Sequence, residues 1–287
     1  MTTHARVGVG RTSAERPDAP YSFVAGLYTA ALVIPAVVLL LSRVFDDTAV
    51  LYVGFLAAIT CITTFAGWAV SRMSGLAVDL GRRDAVWTLA VLPFGWLGGL
   101  FSATVFGFDP PETVIPLAIL GSGGGMLLGI VLVAMSRTRH ADATLEGATQ
   151  SAEWEARWPR RWRRIAVVLA VGAATIGLAD LLVGSWSGVE TGWGSYYLFY
   201  FWVPLIALMN PRIFRVTSTG LVVEHPLQRQ VRPWSAYAGY ELTEEALVIR
   251  STSWWRPAHR CDRTDIEDVD SVVSALSACL TGQKQTE

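Results

Sequence analysis

Lysine is all but missing from this chain of 287 residues: among 23 basic residues the only lysine is Lys284. Such reliance on arginine points to a GC-rich prokaryotic genome. Charge of either sign is scarce, at 16%, where soluble domains carry about 25%. The deficit comes from long runs with no charge at all. The net charge is −1, so no global attraction to nucleic acid is expected. Cysteine is equally sparse. Cys61 lies in an apolar run, Cys261 and Cys279 lie near the C-terminus, and no CxxC occurs. The histidines His4, His140, His225 and His259 are scattered. Zinc sites need clustered ligands at defined spacing, so neither a metal nor a cofactor is expected. The N-terminal twenty residues are polar, with no short apolar region and small-residue cleavage site, so no removable signal peptide is read.

What is present is hydrophobic: 52% of the residues. A helix crossing the hydrocarbon layer needs about 20 mainly apolar residues. Six runs qualify: Tyr21–Leu41, Val50–Val70, Trp87–Phe108, Val114–Met135, Ile165–Trp186 and Ser195–Ile213. The last is rich in Tyr and Trp and interrupted by Pro204.

The connecting loops suggest an orientation, because Lys and Arg concentrate on the cytoplasmic side. Arg6, Arg11 and Arg16 precede the first run, and Arg72, Arg82 and Arg83 follow the second. Seven arginines from Arg137 to Arg164 follow the fourth. The loops after the third and fifth runs have no basic residue, and the loop after the first sets Arg43 against Asp46 and Asp47. This alternation predicts an even number of spans in a cell membrane, with both termini cytoplasmic.

Two spans carry small residues four apart, Gly95 and Gly99 in the third and Gly121, Gly125 and Gly129 in the fourth. Such ridges share a helix face and let backbones approach closely. A short Pro-Pro turn joins the two spans, so the ridges are expected to face each other. GSGGG at 121–125 has neither the preceding strand nor the lysine of a phosphate loop. Asp180 is an ionisable residue within the spans, and an intramembrane carboxylate is a functional candidate. It also lies about 9 Å, six helical residues, from the outer end of its span, where it could reach headgroups or Arg43.

After Pro211 the texture changes. RVTST (215–219), LVVEH (221–225), SAYAGYEL (235–242), LVIRS (247–251) and AHRCDR (258–263) have the alternation of half-buried strands. From Thr264 the spacing of Ile266, Val269, Val272, Val273, Leu276 and Leu280 is helical. A pair of spans followed by TSTGLVVEH, then RPW at 232–234, a hairpin and a last helix, resembles prokaryotic membrane proteins with a pleckstrin-homology-like domain. The resemblance covers roughly residues 165–281 and implies a binding or assembly module, not a catalyst. His259, Cys261 and Asp262 have the residue types of a nucleophile set, but catalytic partners usually come together across a fold rather than along one strand.

Two segments are candidate contacts with lipid. SWWRPAH at 253–259 offers Trp254, Trp255 and Arg256, an interfacial wedge or equally an edge of the small core. WEARWPRRWRR at 154–164 is divided by Pro159. Its residues Trp158, Arg160, Arg161, Trp162, Arg163 and Arg164 form a juxtamembrane anchor, worth about 1 kcal/mol per basic residue near an anionic surface.

The expected fold is an α-helical polytopic membrane protein of six transmembrane helices with a small C-terminal α+β domain, a curved antiparallel sheet closed by a helix. Its parts are a disordered tail (1–20), a four-span bundle (21–135), a cytoplasmic basic loop (136–164), a two-span hairpin (165–213), the cytoplasmic domain (214–281) and a tail (282–287). The expected role is non-catalytic anchoring, with the bilayer, an anionic lipid or a membrane protein as partner and no nucleic acid. An oligomer is compatible with the chain. The alternative is a small-solute or proton carrier using Asp180 and the glycine-bearing third and fourth spans.

Overall fold

The computed structural model describes residues 17–107, 114–187, 210–254 and 256–284. They fall into two compact units divided between Ala143 and Thr144. Most of the sixth expected span, and both expected tails but for a few residues, lie outside the described residues.

Among the described residues, five helical segments are long and apolar enough to cross a membrane. In the first unit, α1 (Ala19–Leu41) and α2 (Thr48–Ser71) are capped at their N-termini by Asp18 and Asp47, which accept from Tyr21 N and Ala49 N. A short helix α3 (Leu76–Arg82) follows. The third span is not one helix. It runs as a 3₁₀ turn (Asp84–Trp87), α4 (Thr88–Val91), a second 3₁₀ turn (Leu92–Phe94) and α5 (Gly95–Val105). The fourth, α6, covers Val114–Leu145. At 1.5 Å per residue it is about 48 Å long, more than the roughly 30 Å hydrocarbon layer. The expected loop at 136–164 therefore begins as helix.

Pro93 explains the break. Proline has no N–H for the carbonyl four residues back, and an unpaired carbonyl in an apolar layer costs several kcal/mol. That carbonyl, Leu89 O, accepts instead from Tyr28 Oη at 2.7 Å. Ser122 Oγ donates to Pro93 O at 2.8 Å, and Trp96 Nε1 donates to Leu32 O at 2.8 Å. Side chains from α1 and α6 thus take over the backbone bonds of the third span.

The glycine ridges behave differently from expectation. Cβ atoms at Gly95 or Gly99 would meet nothing within 4 Å, so this ridge makes no close packing among the described residues. The ridge on α6 does pack. A Cβ at Gly121 would lie 3.1 Å from Pro35, at Gly125 2.8 Å from Pro93, and at Gly129 2.3 Å from Leu89 O. Its partners are α1 and the broken segment before Gly95. The tightest approach of α1 to α2 is at Gly26, where a Cβ would lie 2.3 Å from Thr63 O. Outward-facing side chains on α2 are large and apolar, including Val53, Phe65 and Trp68. Such a surface suits lipid rather than water.

The second unit holds seven strands among the described residues. β1 (Gln150–Ala156), β2 (Arg212–Thr217), β3 (Leu221–His225) and β4 (Gln228–Arg232) form one antiparallel sheet in that order. β5 (Tyr237–Leu242), β6 (Ala246–Ser251) and β7 (His259–Asp262) form another. The last helix, α8 (Val269–Lys284), sends Val272 and Leu276 into a core shared with Phe214, Val216, Leu221, Leu247 and Ile249. Gly220 is required where the β2–β3 turn meets the end of β4: a Cβ there would lie 2.1 Å from Arg232 O. The RPW segment serves the same corner, with Trp234 Nε1 donating to Thr217 O at 3.0 Å.

β1 corrects the expected domain boundary. The segment read as a basic loop contributes a strand, and Trp154 is buried in the domain core, stacked on Phe214 with ring centroids 5.3 Å apart. The pairing ends at Ala156 opposite Arg212. The fifth span, α7 (Arg160–Ser187), starts three residues after Arg157. The chain from Arg157 to Pro211 is therefore inserted into a β-hairpin, and the domain is discontinuous in sequence.

A fragment of 213–287 alone lacks β1, exposes Phe214 and should show no cooperative thermal transition by circular dichroism. Joining Arg157 to Arg212 through a short turn restores the hairpin and should restore that transition; equal behaviour of both chains would contradict the register. Tyr28→Phe leaves Leu89 O unpaired and should cost about 1–3 kcal/mol, read as a lower Tm in detergent.

Candidate functional site

Arginine and tryptophan at 154–164 are distributed between three tasks. Trp154 is core. Arg157 ties the connection to the sheet: its N–H donates to Asp265 Oδ2 at 3.0 Å, and its carbonyl accepts from Asp262 N at 2.9 Å. Trp158 is half-buried, with the Arg212 guanidinium 5.3 Å over its ring. Trp162 meets Trp158 edge-on at 6.5 Å and carries Arg260 at 5.8 Å on its face, yet stays 43% exposed. Both contacts have the geometry of cation–π pairs. Arg160, Arg161 and Arg164 are exposed and Arg163 is half-buried on the first turns of α7. The basic turn of α7 is thus rooted in the sheet domain, with no flexible linker between them.

In the second candidate segment, Trp254 is 96% exposed at the tip of the β6–β7 connection. Trp255 lies outside the described residues. Arg256 is half-buried and has an interaction partner, and its N–H closes a turn onto Ser253 O at 3.2 Å. Asp180 lies on α7, but its side chain is outside the described residues.

His259, Cys261 and Asp262 do lie on one strand, and alternation turns His259 and Cys261 to the core face, opposite Ile249 and Leu247. Burial pushes the Cys261 thiol up to about 12, so it holds its proton at neutral pH, the reverse of an activated nucleophile. Burial, with Arg232, Arg212 and His225 adding repulsion, lowers His259 to about 3. Asp262 caps a turn by accepting from Thr264 N at 3.1 Å and Thr264 Oγ1 at 2.8 Å. These side chains belong to the domain's packing. Among the described residues no group of three or more His, Cys, Asp and Glu is placed to hold a metal ion.

Sequence reading missed a set of core-facing polar residues. Arg212 is 7% exposed and in phase with Phe214 and Val216 on β2. Its Nε has no hydrogen-bond partner, nor do Tyr237 Oη and His259 Nε2. The signal was available: a basic residue at a core phase of a strand is unusual unless paired.

Comparison with protein-family models, with curated proteins and with solved structures finds no match.

His259 gives a pH prediction. Its folded pKa lies below the unfolded value of about 6.5, so the unfolded chain binds the extra proton. Its contribution is complete above pH 6.5 and is lost as pH falls toward 3, with a slope of at most about 1.4 kcal/mol per pH unit. Thermal melts of the wild type and His259→Gln across that window should differ in slope, the variant being flatter; parallel curves would contradict the buried neutral imidazole.

Proposed function

We propose that this chain is a non-catalytic membrane-anchored binding protein of pleckstrin-homology-like type, whose sheet domain is held against the cytoplasmic headgroup layer and engages anionic lipid. The observation that carries the reading is the insertion of α7 into the β1–β2 hairpin, three residues from the sheet. If α7 crosses the bilayer, Trp162, Arg160, Arg161 and Arg164 lie at headgroup level together with the domain itself. Indole and guanidinium groups favour that layer. A four-stranded and a three-stranded antiparallel sheet followed by a helix also support the pleckstrin-homology-like reading. β1 supplies a strand that the region after Pro211 lacks.

The carrier reading has less support. It uses Asp180, whose side chain lies outside the described residues, and glycine packing of the third and fourth spans, where a Cβ at Gly95 or Gly99 would meet nothing within 4 Å. The carbonyls freed or exposed at the break accept from Tyr28 and Ser122 rather than lining an open path.

The test is lipid retention. Full-length protein extracted from native membranes and weighed by native mass spectrometry should retain anionic over zwitterionic phospholipid. Replacing Arg160, Arg161 and Arg164 by Gln should reduce that enrichment at least several-fold. Equal retention of both lipid classes by the wild type would overturn the proposal.

A further inference from the structure

The first sheet of the second unit has two ends, and its register fixes what lies at each. Ala156 pairs with Arg212, Ile213 with Glu224, and His225 with Gln228. One step on from Ile213 and Glu224 sets Arg212 level with His225. Ala156, Arg212, His225 and Gln228 therefore form one row across all four strands. Just beyond that row the chain leaves at Arg157 toward α7 and comes back at Pro211. The β3–β4 turn, Pro226 and Leu227, projects from the same end. It lies one to two strand spacings from the start of β2, about 5–10 Å sideways. The opposite end carries the β2–β3 turn, with Ser218 and Thr219, about 20 Å away along the strands.

The two turns differ in kind. Ser218 and Thr219 are polar and exposed. Leu227 is 73% exposed, and Pro226 beside it is exposed too. Exposed apolar residues scattered singly are ordinary; the position of this one is not. Outside α7, the large apolar side chains exposed on the second unit, among the described residues, are Leu227, Leu242 and Trp254. Leu242 ends β5 next to the acidic turn residues Glu244 and Glu245. Trp254 hangs from the second sheet, where Thr252 N donates to Ala236 O at 3.0 Å, and lies outside this register. Of the three, Leu227 stands at the row from which the apolar helix departs.

That row is close to α7. Arg160, where the helix begins, is three residues after Arg157, at most about 10 Å of chain. The Arg260 guanidinium lies over Trp162 at 5.8 Å, so the first turn of α7 rests against the domain. The interfacial layer is about 5–8 Å thick on each side of the hydrocarbon. A turn level with the root of a spanning α7 falls within it. Leucine gains there by leaving water, and neither turn residue carries a charge to oppose entry.

We propose that the β3–β4 turn is a second membrane contact of this domain. Leu227 enters the headgroup–acyl boundary of the leaflet at the root of α7 and holds the sheet end-on to the bilayer. The partner of this surface is the lipid bilayer itself. The proposal rests on the membrane-surface reading above, in which α7 crosses the bilayer. With α7 holding one corner of the sheet and Leu227 another, the domain resists tilting, and the β2–β3 turn stays in water.

The experiment uses the full chain carrying Cys61→Ala and Cys279→Ala, in nanodiscs of mixed zwitterionic and anionic phospholipid. Cys261 is fully buried and stays unlabelled. A nitroxide is attached in turn at Leu227→Cys, Thr219→Cys and Val168→Cys, three exposed positions outside the cores. Power saturation compares collisions with oxygen, which concentrates in the bilayer, and with a water-soluble nickel chelate. The oxygen-to-nickel ratio at position 227 should exceed that at 219 several-fold and approach that at 168 on α7. With the label moved to Gln228→Cys, adding Leu227→Asp should lower the ratio several-fold; no change overturns Leu227 as the anchoring side chain. Equal ratios at 227 and 219, with 168 in lipid, overturn the contact and leave the spanning of α7 intact. A water-like ratio at 168 overturns the contact and the spanning together.

Discussion

The second unit depends on one backbone pairing, β1 against β2, which ends at Ala156 opposite Arg212. An antiparallel pair of this kind is normally closed by a turn of two to five residues. Here the chain leaves at Arg157, runs through an apolar helix and returns at Arg212. Whatever that excursion does, its two ends are held a strand spacing apart, about 4.8 Å. The sheet therefore sets where α7 begins. The backbone bonds of Arg157 to Asp262 and Asp265, and the stacking of Arg212 on Trp158, extend the constraint into the first turn of the helix. A domain tethered in this way cannot swing away from its helix as one on a single linker can.

The first unit is organised by a different constraint, the need to satisfy backbone groups away from water. Pro93 breaks the third span, and the break persists because Tyr28 and Ser122 stand in for the missing helical bonds. Glycines on α6 and at Gly26 let the helices come close enough for those bonds to form. Tyr28, Ser122 and the glycines at Gly26, Gly121, Gly125 and Gly129 are thus accounted for by packing.

Much of this was legible in the sequence. Apolar runs located the five long apolar helical segments, four of them to within about five residues and α6 ten residues short of its end at Leu145, because length and absence of charge are what a bilayer would demand. Strands β2, β3, β5, β6 and β7 followed from alternation, and α8 from its helical spacing. β1 was not legible. Its residues, QSAEWEA, show two glutamates and a tryptophan beside a run of arginines, and that charge pointed to a surface anchor. Only pairing with a strand 56 residues later, Ala156 with Arg212, reveals it, and such long-range pairing leaves no local mark. The glycine ridges show the same limit: spacing identified a packing face on α6 but could not name its partners, α1 and the segment around Pro93. At the candidate site, exposed Trp254 and the basic turn of α7 were visible in sequence. Arg212 and Tyr237 were hidden because each looks like an ordinary strand residue until its neighbours are known.

The central claim is that β1 belongs to the sheet across the inserted apolar helix α7. Hydrogen–deuterium exchange on the full chain in detergent or nanodiscs tests it most directly. The account predicts that hydrogen-bonded amides within 150–156 exchange as slowly as those of β2, since both would open only with the domain. Exchange of 150–156 at the rate of an unstructured loop, while β2 remains protected, would contradict it.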